Sequence, residues 1–240
     1  MPRFFKEFFD TAPFIDGDDA RHITKSLRMR VGEAITVCDT RGVDYHCTIT
    51  DCSDGRVDLH IDRTEKTGSE PSVFVSLFQC LPKGDKMDSV VKQSVELGVG
   101  EVTPVLSTNC VSRPDEKQLS KKVERWQKIA NEAAGQSGRG ILPKVNDYVS
   151  LKNLASELQC FDKTLFCYEL GGESIADINL NGAEKIAVII GPEGGFTAEE
   201  AEMLKSNGAT VTTLGPRILR TETAPLATIT AIMLQTDNMK

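Results

Sequence analysis

Ile186-Ala187-Val188-Ile189-Ile190 runs into Gly191-Pro192-Glu193-Gly194-Gly195-Phe196 and then Thr197-Ala198-Glu199-Glu200. Twenty residues on, Thr210-Val211-Thr212-Thr213-Leu214 runs into Gly215-Pro216-Arg217-Ile218-Leu219-Arg220 and then Thr221-Glu222-Thr223-Ala224-Pro225. Each is an apolar, β-branched run, a Gly/Pro loop and a helix start, the grammar of strand, loop and helix in an α/β sheet. On such sheets ligands bind beyond the C-terminal ends of the strands, where both loops fall. Glycines at 191, 194 and 195 let backbone approach a ligand closely or take positive φ. Thr197 and Glu200 have the spacing of a capping box. Neither loop carries a dinucleotide fingerprint or a phosphate-binding Gly-Lys-Ser/Thr.

Outward from these loops the same grammar repeats. Val73–Cys80 is a continuous apolar run, a buried strand. A helix over Met87–Leu97 and a strand over Glu101–Leu106 follow, then a long amphipathic helix over Glu116–Ala134. A helix near Leu151–Leu158 and a strand over Thr164–Tyr168 precede the two quoted segments. Strands alternating with helices predict a parallel, right-handed α/β sheet. The last helix, about Pro225–Gln235, is apolar on most sides and predicts burial against the sheet or a partner subunit.

The N-terminal part reads differently. Asp19–Met29 predicts a short helix capped by Asp19, with Ala20, Ile23 and Leu27 on one side. Ala34–Cys38, Asp44–Ser53 and Arg56–Arg63 alternate apolar and polar residues, separated by Thr40-Arg41-Gly42 and Ser53-Asp54-Gly55. Such regular turns predict a small β-barrel. Thr64–Ser72, polar and holding Gly68 and Pro71, reads as a linker. The predicted domains are residues 1–68 and 73–240.

At 240 residues, with 40% hydrophobic and 26% charged residues, the chain suits a soluble globular protein with a good core. The start MPRFFKEFFD has no apolar core like that of a signal peptide, and no stretch approaches a membrane span, so the expected location is cytoplasmic. Seven cysteines, an odd count without C-x-x-C, argue against a disulfide framework or zinc cluster. Three scattered histidines argue against a metal site, and none is expected. The net charge of −7 speaks weakly against nucleic acid. Basic residues nevertheless cluster at Arg21, Lys25, Arg28 and Arg30, at Lys83, Lys86 and Lys92, and at Lys121, Lys122, Arg125 and Lys128. Such clusters are either solvated faces or phosphate contacts.

The two loops together, GPEGGFTAEE and LGPRILRTETAPLATITA, resemble the RsmE family of SPOUT-superfamily RNA methyltransferases. Lys83-Gly84-Asp85-Lys86, Lys92, Glu96-Leu97-Gly98-Val99, Arg125-Trp126, Glu132-Ala133, Gln136-Ser137 and Arg139 are similar to further segments of that family, and HITKSLRMRVGE (residues 22–33) to its opening. Gly135 departs from the larger polar residue usual there. The resemblance implies a C-terminal SPOUT-type parallel sheet with a trefoil knot, and a PUA-like RNA-binding β-barrel before it. It implies methylation of N3 of one uridine in 16S rRNA of the small ribosomal subunit, with S-adenosyl-L-methionine as cofactor and a homodimer as the working unit.

Residue roles follow from the resemblance. The cofactor is expected among Leu165–Glu169, Gly191–Gly195 and Leu214–Leu219, with Leu165, Tyr168, Glu169, Ile190, Gly191, Glu193, Gly194, Gly195, Leu214, Gly215, Ile218 and Leu219 as its contacts. Methylating uridine N3 requires loss of its proton and stabilisation of charge on a ring oxygen. Arg220 is the candidate cation. Glu222 is a candidate base or a helix cap. Lys25, Arg28 and Arg30 are expected to bind RNA, and Lys83 and Arg139 to grip RNA or to form surface ion pairs. Two alternatives stay open: a methyltransferase of the same fold with another RNA target, and a non-catalytic RNA-binding ribosome-assembly factor.

Overall fold

The structure, a computed structural model, describes residues 1–53 and 55–239. The chain forms two compact units: residues 1–70 with 134–142, and residues 71–133 with 143–240.

In the first unit β1 (Arg3–Phe5) precedes β2 (Phe14–Ile15) and a one-and-a-half-turn helix α1 (Gly17–Arg21). A π-turn over His22–Ser26 follows, then β3 (Ala34–Cys38), β4 (Val43–Ser53) and β5 (Arg56–Lys66). The sheet order is β1-β3-β4-β5-β2. All its pairings are antiparallel except β1 with β3. Alternation works as the sequence predicts: Tyr45, Cys47 and Ile49 of β4 and Val57 and Leu59 of β5 turn inward onto Phe4, Phe9 and Ile23.

Three expectations change here. The helix begins before Asp19, which lies inside it, and Asp16 occupies the cap position. It widens after Arg21, with Leu27 N–H donating to His22 O, and Arg28 stops it at φ 54°. Leu27 is exposed rather than part of the apolar side. The linker is shorter than expected because β5 continues to Lys66 opposite Val43, through hydrogen bonds that its polar side chains do not announce. Asp54, in the expected Ser53-Asp54-Gly55 turn, lies outside the described residues.

Residues 134–142 pack within this unit around one ion pair. Arg139 is 4% exposed and its guanidinium meets Glu70 at 2.9 Å. Glu70 Oε1 also accepts from Gly140 N–H at 2.6 Å and Ile141 N–H at 3.1 Å. Arg3 donates to the Arg139 carbonyl at 2.9 Å and pairs with Asp44. Arg139, expected from the sequence to grip RNA or form a surface ion pair, is thus buried, with its Nε and Nη2 donating to Glu70.

The second unit is built on an eight-stranded sheet, seven strands in the order β11-β13-β10-β12-β6-β7-β8 and β9 also on β7, every pairing parallel. Its elements in chain order are β6 (Phe74–Cys80), α2 (Lys86–Glu96), β7 (Glu101–Leu106), α3 (Glu116–Gln136, whose last turn lies in the first unit) and β8 (Lys144–Val145). Then come β9 (Val149–Ser150), which also pairs with β7, α4 (Leu151–Glu157), β10 (Lys163–Cys167) and β11 (Glu173–Ser174). β12 (Lys185–Ile190), α5 (Ala198–Ser206), β13 (Thr210–Thr213) and α6 (Ala224–Gln235) complete it. Both faces of the central strands are covered, hence the largely apolar β6, interrupted only by buried Ser76 and Gln79, and the apolar run of β12. β13 follows β12 in the chain but lies beyond β10 in the sheet. Because the strands are parallel, the loops after β6, β10, β12 and β13 leave the sheet at one edge.

Glu70 gives the first unit an acid-sensitive joint. Burial opposes its ionisation, but Arg139 and the two backbone N–H groups outweigh burial and hold its carboxyl below the usual range. Its contribution to stability is thus complete above the unfolded value near 4.5 and is lost as pH falls through the depressed folded value. Glu70→Ala leaves a buried guanidinium without its partner, and we expect a loss of about 3–5 kcal/mol at neutral pH by chemical denaturation. A variant as stable as the wild type would contradict this reading of the pair.

Candidate functional site

The loops after β10, β12 and β13 wall a cleft of about 560 Å³ in the second unit. Tyr168 and Glu169 come from the first loop, Ile190 and Gly191 to Gly195 from the second, and Leu214 to Thr221 from the third. Of the residues predicted from sequence, Tyr168, Glu169, Ile190, Gly191, Glu193, Gly194, Gly195, Leu214, Gly215, Ile218, Leu219 and Arg220 all line it. Leu165 does not: it is fully buried in the middle of β10, and the chain reaches the cleft only from Cys167 on. Lys86, Arg217 and Thr221 also line the cleft, though sequence reasoning gave them no role there.

The 191–195 loop is held from several sides. Thr221, nearly buried, donates its hydroxyl to Gly191 O at 2.7 Å and accepts from Gln79 Nε2 of β6 at 3.0 Å. Asn109, in the turn after β7, donates its amide to Gly194 O at 3.1 Å and Gly195 O at 3.2 Å. The capping box at α5 forms as the sequence predicts: Thr197 Oγ1 accepts from Glu200 N–H at 3.2 Å and Glu200 Oε2 from Thr197 N–H at 3.0 Å. The other oxygen of Glu200 accepts from Thr108 N–H at 2.7 Å, a second tie to the turn after β7.

These ties change the reason for two glycines. A Cβ on Gly194 would lie 3.1 Å from the side chain of Asn109, so the protein's own packing already restricts that position. Gly195 has φ 66°, and a methyl group there would collide with the Glu169 carboxylate. Both residues let the loop lie flat between Asn109 and the cleft.

The charges divide into tied and free. Lys86 Nζ lies 2.8 Å from Glu193 Oε1 and 3.1 Å from Glu222 Oε2. Glu193 also accepts from Lys83 N–H at 3.2 Å. Burial opposes ionisation of Glu193, but Lys86 and backbone N–H groups outweigh it and hold the carboxyl below its usual range. Glu222 is likewise held low: its own N–H, Lys86 and the charge of Arg220 overcome burial. A carboxylate so stabilised is a poor base near neutrality. Nor does Glu222 cap α6, whose cap position is Thr223. Arg217 and Arg220 are exposed, and among the described residues neither side chain makes a hydrogen bond or ion pair.

The remaining predicted residues lie elsewhere. Lys83 is exposed in the loop after β6. Lys25, Arg28 and Arg30 are exposed on the π-turn and the segment after it, in the first unit. Among the described residues no cluster of three or more His, Cys, Asp or Glu side chains is placed to hold a metal. No helix among them is long and apolar enough to cross a membrane.

Comparison with known proteins agrees with this geometry. Residues 69–233 match the model of the RNA methyltransferase domain family, and residues 15–62 that of the RNA methyltransferase PUA domain family. The chain is 34% identical to ribosomal RNA small subunit methyltransferase E of Bacillus subtilis, covering 100% of this chain and 99% of that protein. It is 28% identical to the protein of the same name from Buchnera aphidicola, over 95% of this chain and 89% of that one. Among solved structures, ribosomal RNA small subunit methyltransferase E from Neisseria gonorrhoeae, bound to S-adenosyl methionine, superposes with a TM-score of 0.87 at 32% identity, covering 98% of this chain and 97% of that one.

Proposed function

The chain belongs to the ribosomal RNA small subunit methyltransferase E family, and on that premise we propose that it transfers a methyl group from S-adenosylmethionine to N3 of one uridine in 16S rRNA. The observation that carries the reading is the cleft at the strand ends, with the unpaired guanidinium of Arg220 at its wall.

The residues present suit the cofactor. The cleft has the size of a small-molecule site. Leu214, Ile218 and Leu219 offer apolar surface to a purine ring, and the Gly-rich loops offer backbone donors and acceptors to its edge. Glu169 offers a carboxylate to a ligand bearing positive charge. S-adenosylmethionine supplies an electrophilic methyl on a sulfonium, and the protein's task is to align and stabilise its acceptor.

Uridine N3 carries a proton between two carbonyls. Its loss puts negative charge on the ring oxygens, where Arg220 acts as the stabilising cation. Lys86 stabilises the charged forms of Glu193 and Glu222 and so weakens both as bases, and the proton passes to solvent instead of to either carboxylate. Exposed Lys25, Arg28, Arg30 and Lys83 serve the RNA phosphates. The same reading includes the trefoil knot, supported by the crossing of β13 to the far side of β10. It also includes action in the cytoplasm, where ribosomes assemble, and a homodimer through α6. That helix buries one face and leaves Leu226, Ala227, Ala231 and Leu234 partly or largely uncovered.

The direct test is in vitro methylation of unmodified small-subunit RNA with labelled cofactor, followed by nucleoside analysis. We expect 3-methyluridine, and any other methylated nucleoside overturns the assignment. Arg220→Ala should lose about 100-fold or more in kcat while RNA binding changes little. Because no carboxylate takes the proton, kcat/KM should climb with pH above neutrality and show no carboxylate inflection between about pH 5 and 7. Light scattering at micromolar protein should give a dimer, and a monomer would remove that part of the proposal.

A further inference from the structure

Lys86 sits at the first position of α2, where a positive charge opposes the helix dipole. A residue placed against its own helix is held there by something else. Here that is a pair of carboxylates from segments far apart in the chain. Glu193 belongs to the loop that forms one wall of the cleft. Glu222 lies two residues after Arg220, in the segment leading into α6. One ammonium reaches both, at 2.8 and 3.1 Å, and itself lines the cleft.

The arrangement matters because of what Glu222 would otherwise do. The charges that act on it come from Lys86 and from Arg220. Arg220 nevertheless forms no ion pair with it, and the Glu222 carboxylate turns to Lys86 instead. Removing the ammonium leaves Glu222 without its ion-pair partner, two residues from Arg220, whose charge already acts on it. It also leaves Glu193 with only backbone donors, such as Lys83 N–H.

We propose that Lys86 is a positioning residue for methyl transfer: it fixes Glu193 in the cofactor wall and draws Glu222 away from Arg220, leaving that guanidinium free for the uridine. The proposal rests on the reading of Arg220 as the cation at the substrate base. It assigns one residue of α2 to both halves of the reaction, and so makes the two sites depend on each other.

Three variants test it: Lys86→Met, Lys86→Arg and the double variant Lys86→Met/Glu222→Gln. Each is measured for folding by denaturation, for cofactor affinity by calorimetry with S-adenosylmethionine, and for kcat and KM on small-subunit RNA. Lys86→Met should fold, bind cofactor several-fold more weakly and lose about tenfold or more in kcat. Lys86→Arg should recover most of both, since a guanidinium also reaches two carboxylates. The double variant should regain kcat, because the competitor for Arg220 is gone, yet keep the weakened cofactor affinity. A merely structural lysine would not separate the two quantities in this way. Wild-type kcat in Lys86→Met, or a double variant no faster than the single one, overturns the proposal. If the wild-type protein binds cofactor but leaves the RNA unmethylated, the functional reading fails instead, and the cofactor affinities of Lys86→Met and Lys86→Arg then decide the role in the wall.

Discussion

The fixing of the 191–195 loop is the constraint on which the site depends. A glycine-rich loop has many conformations in the unfolded chain, and its ordering costs more than that of other sequences. Here the cost is offset by bonds from four separate elements. Thr221 holds Gly191, Asn109 holds Gly194 and Gly195, Lys86 and the Lys83 N–H hold Glu193, and the capping box fixes the exit into α5. None of these partners is adjacent in sequence to the loop except the cap. The parallel sheet makes the arrangement possible, because it delivers the ends of β6, β7, β12 and β13 to the same edge. A wall built in this way is already shaped before anything binds, and a ligand that meets a preformed wall loses less affinity to ordering.

The electrostatics follow from the same ties. The cleft contains carboxylates and cations in close company, yet they are not interchangeable. Glu193 and Glu222 share one lysine, while Arg217 and Arg220 form no ion pair among the described residues. An acidic protein can thus present positive charge at the wall of its cleft. The first unit makes the opposite use of an arginine: Arg139 is buried and paired with Glu70 within the protein.

Much of this was legible in the sequence. The buried strands β6, β7 and β12 lie within a residue of where the sequence places them, since burial on both faces leaves few polar positions to blur the pattern. The capping box is local and was readable from Thr197 and Glu200 alone. The resemblance of the two loops identified most of the cleft. What escaped were features that depend on residues far apart. Glu70 and Arg139 are 69 residues apart and Lys86 and Glu193 are 107 apart, and no local pattern marks either pair. Leu165 lies two positions short of the cleft, where a strand residue is core whatever motif contains it. The widened turn after Arg21 was missed because it preserves the helical spacing of Ala20 and Ile23 while releasing Leu27.

The most direct test of a preformed wall is amide hydrogen exchange at residues 191–196 in the protein without cofactor. If the loop is fixed by Thr221, Asn109 and Lys86, the Gly195 amide, which donates to Pro192 O, should exchange slowly even when nothing is bound. Asn109→Ala should speed that exchange while leaving the amides of β12 protected. Exchange at the rate of an unstructured chain in the cofactor-free wild type, slowing only when S-adenosylmethionine is added, would show that the ligand and not the protein builds the wall.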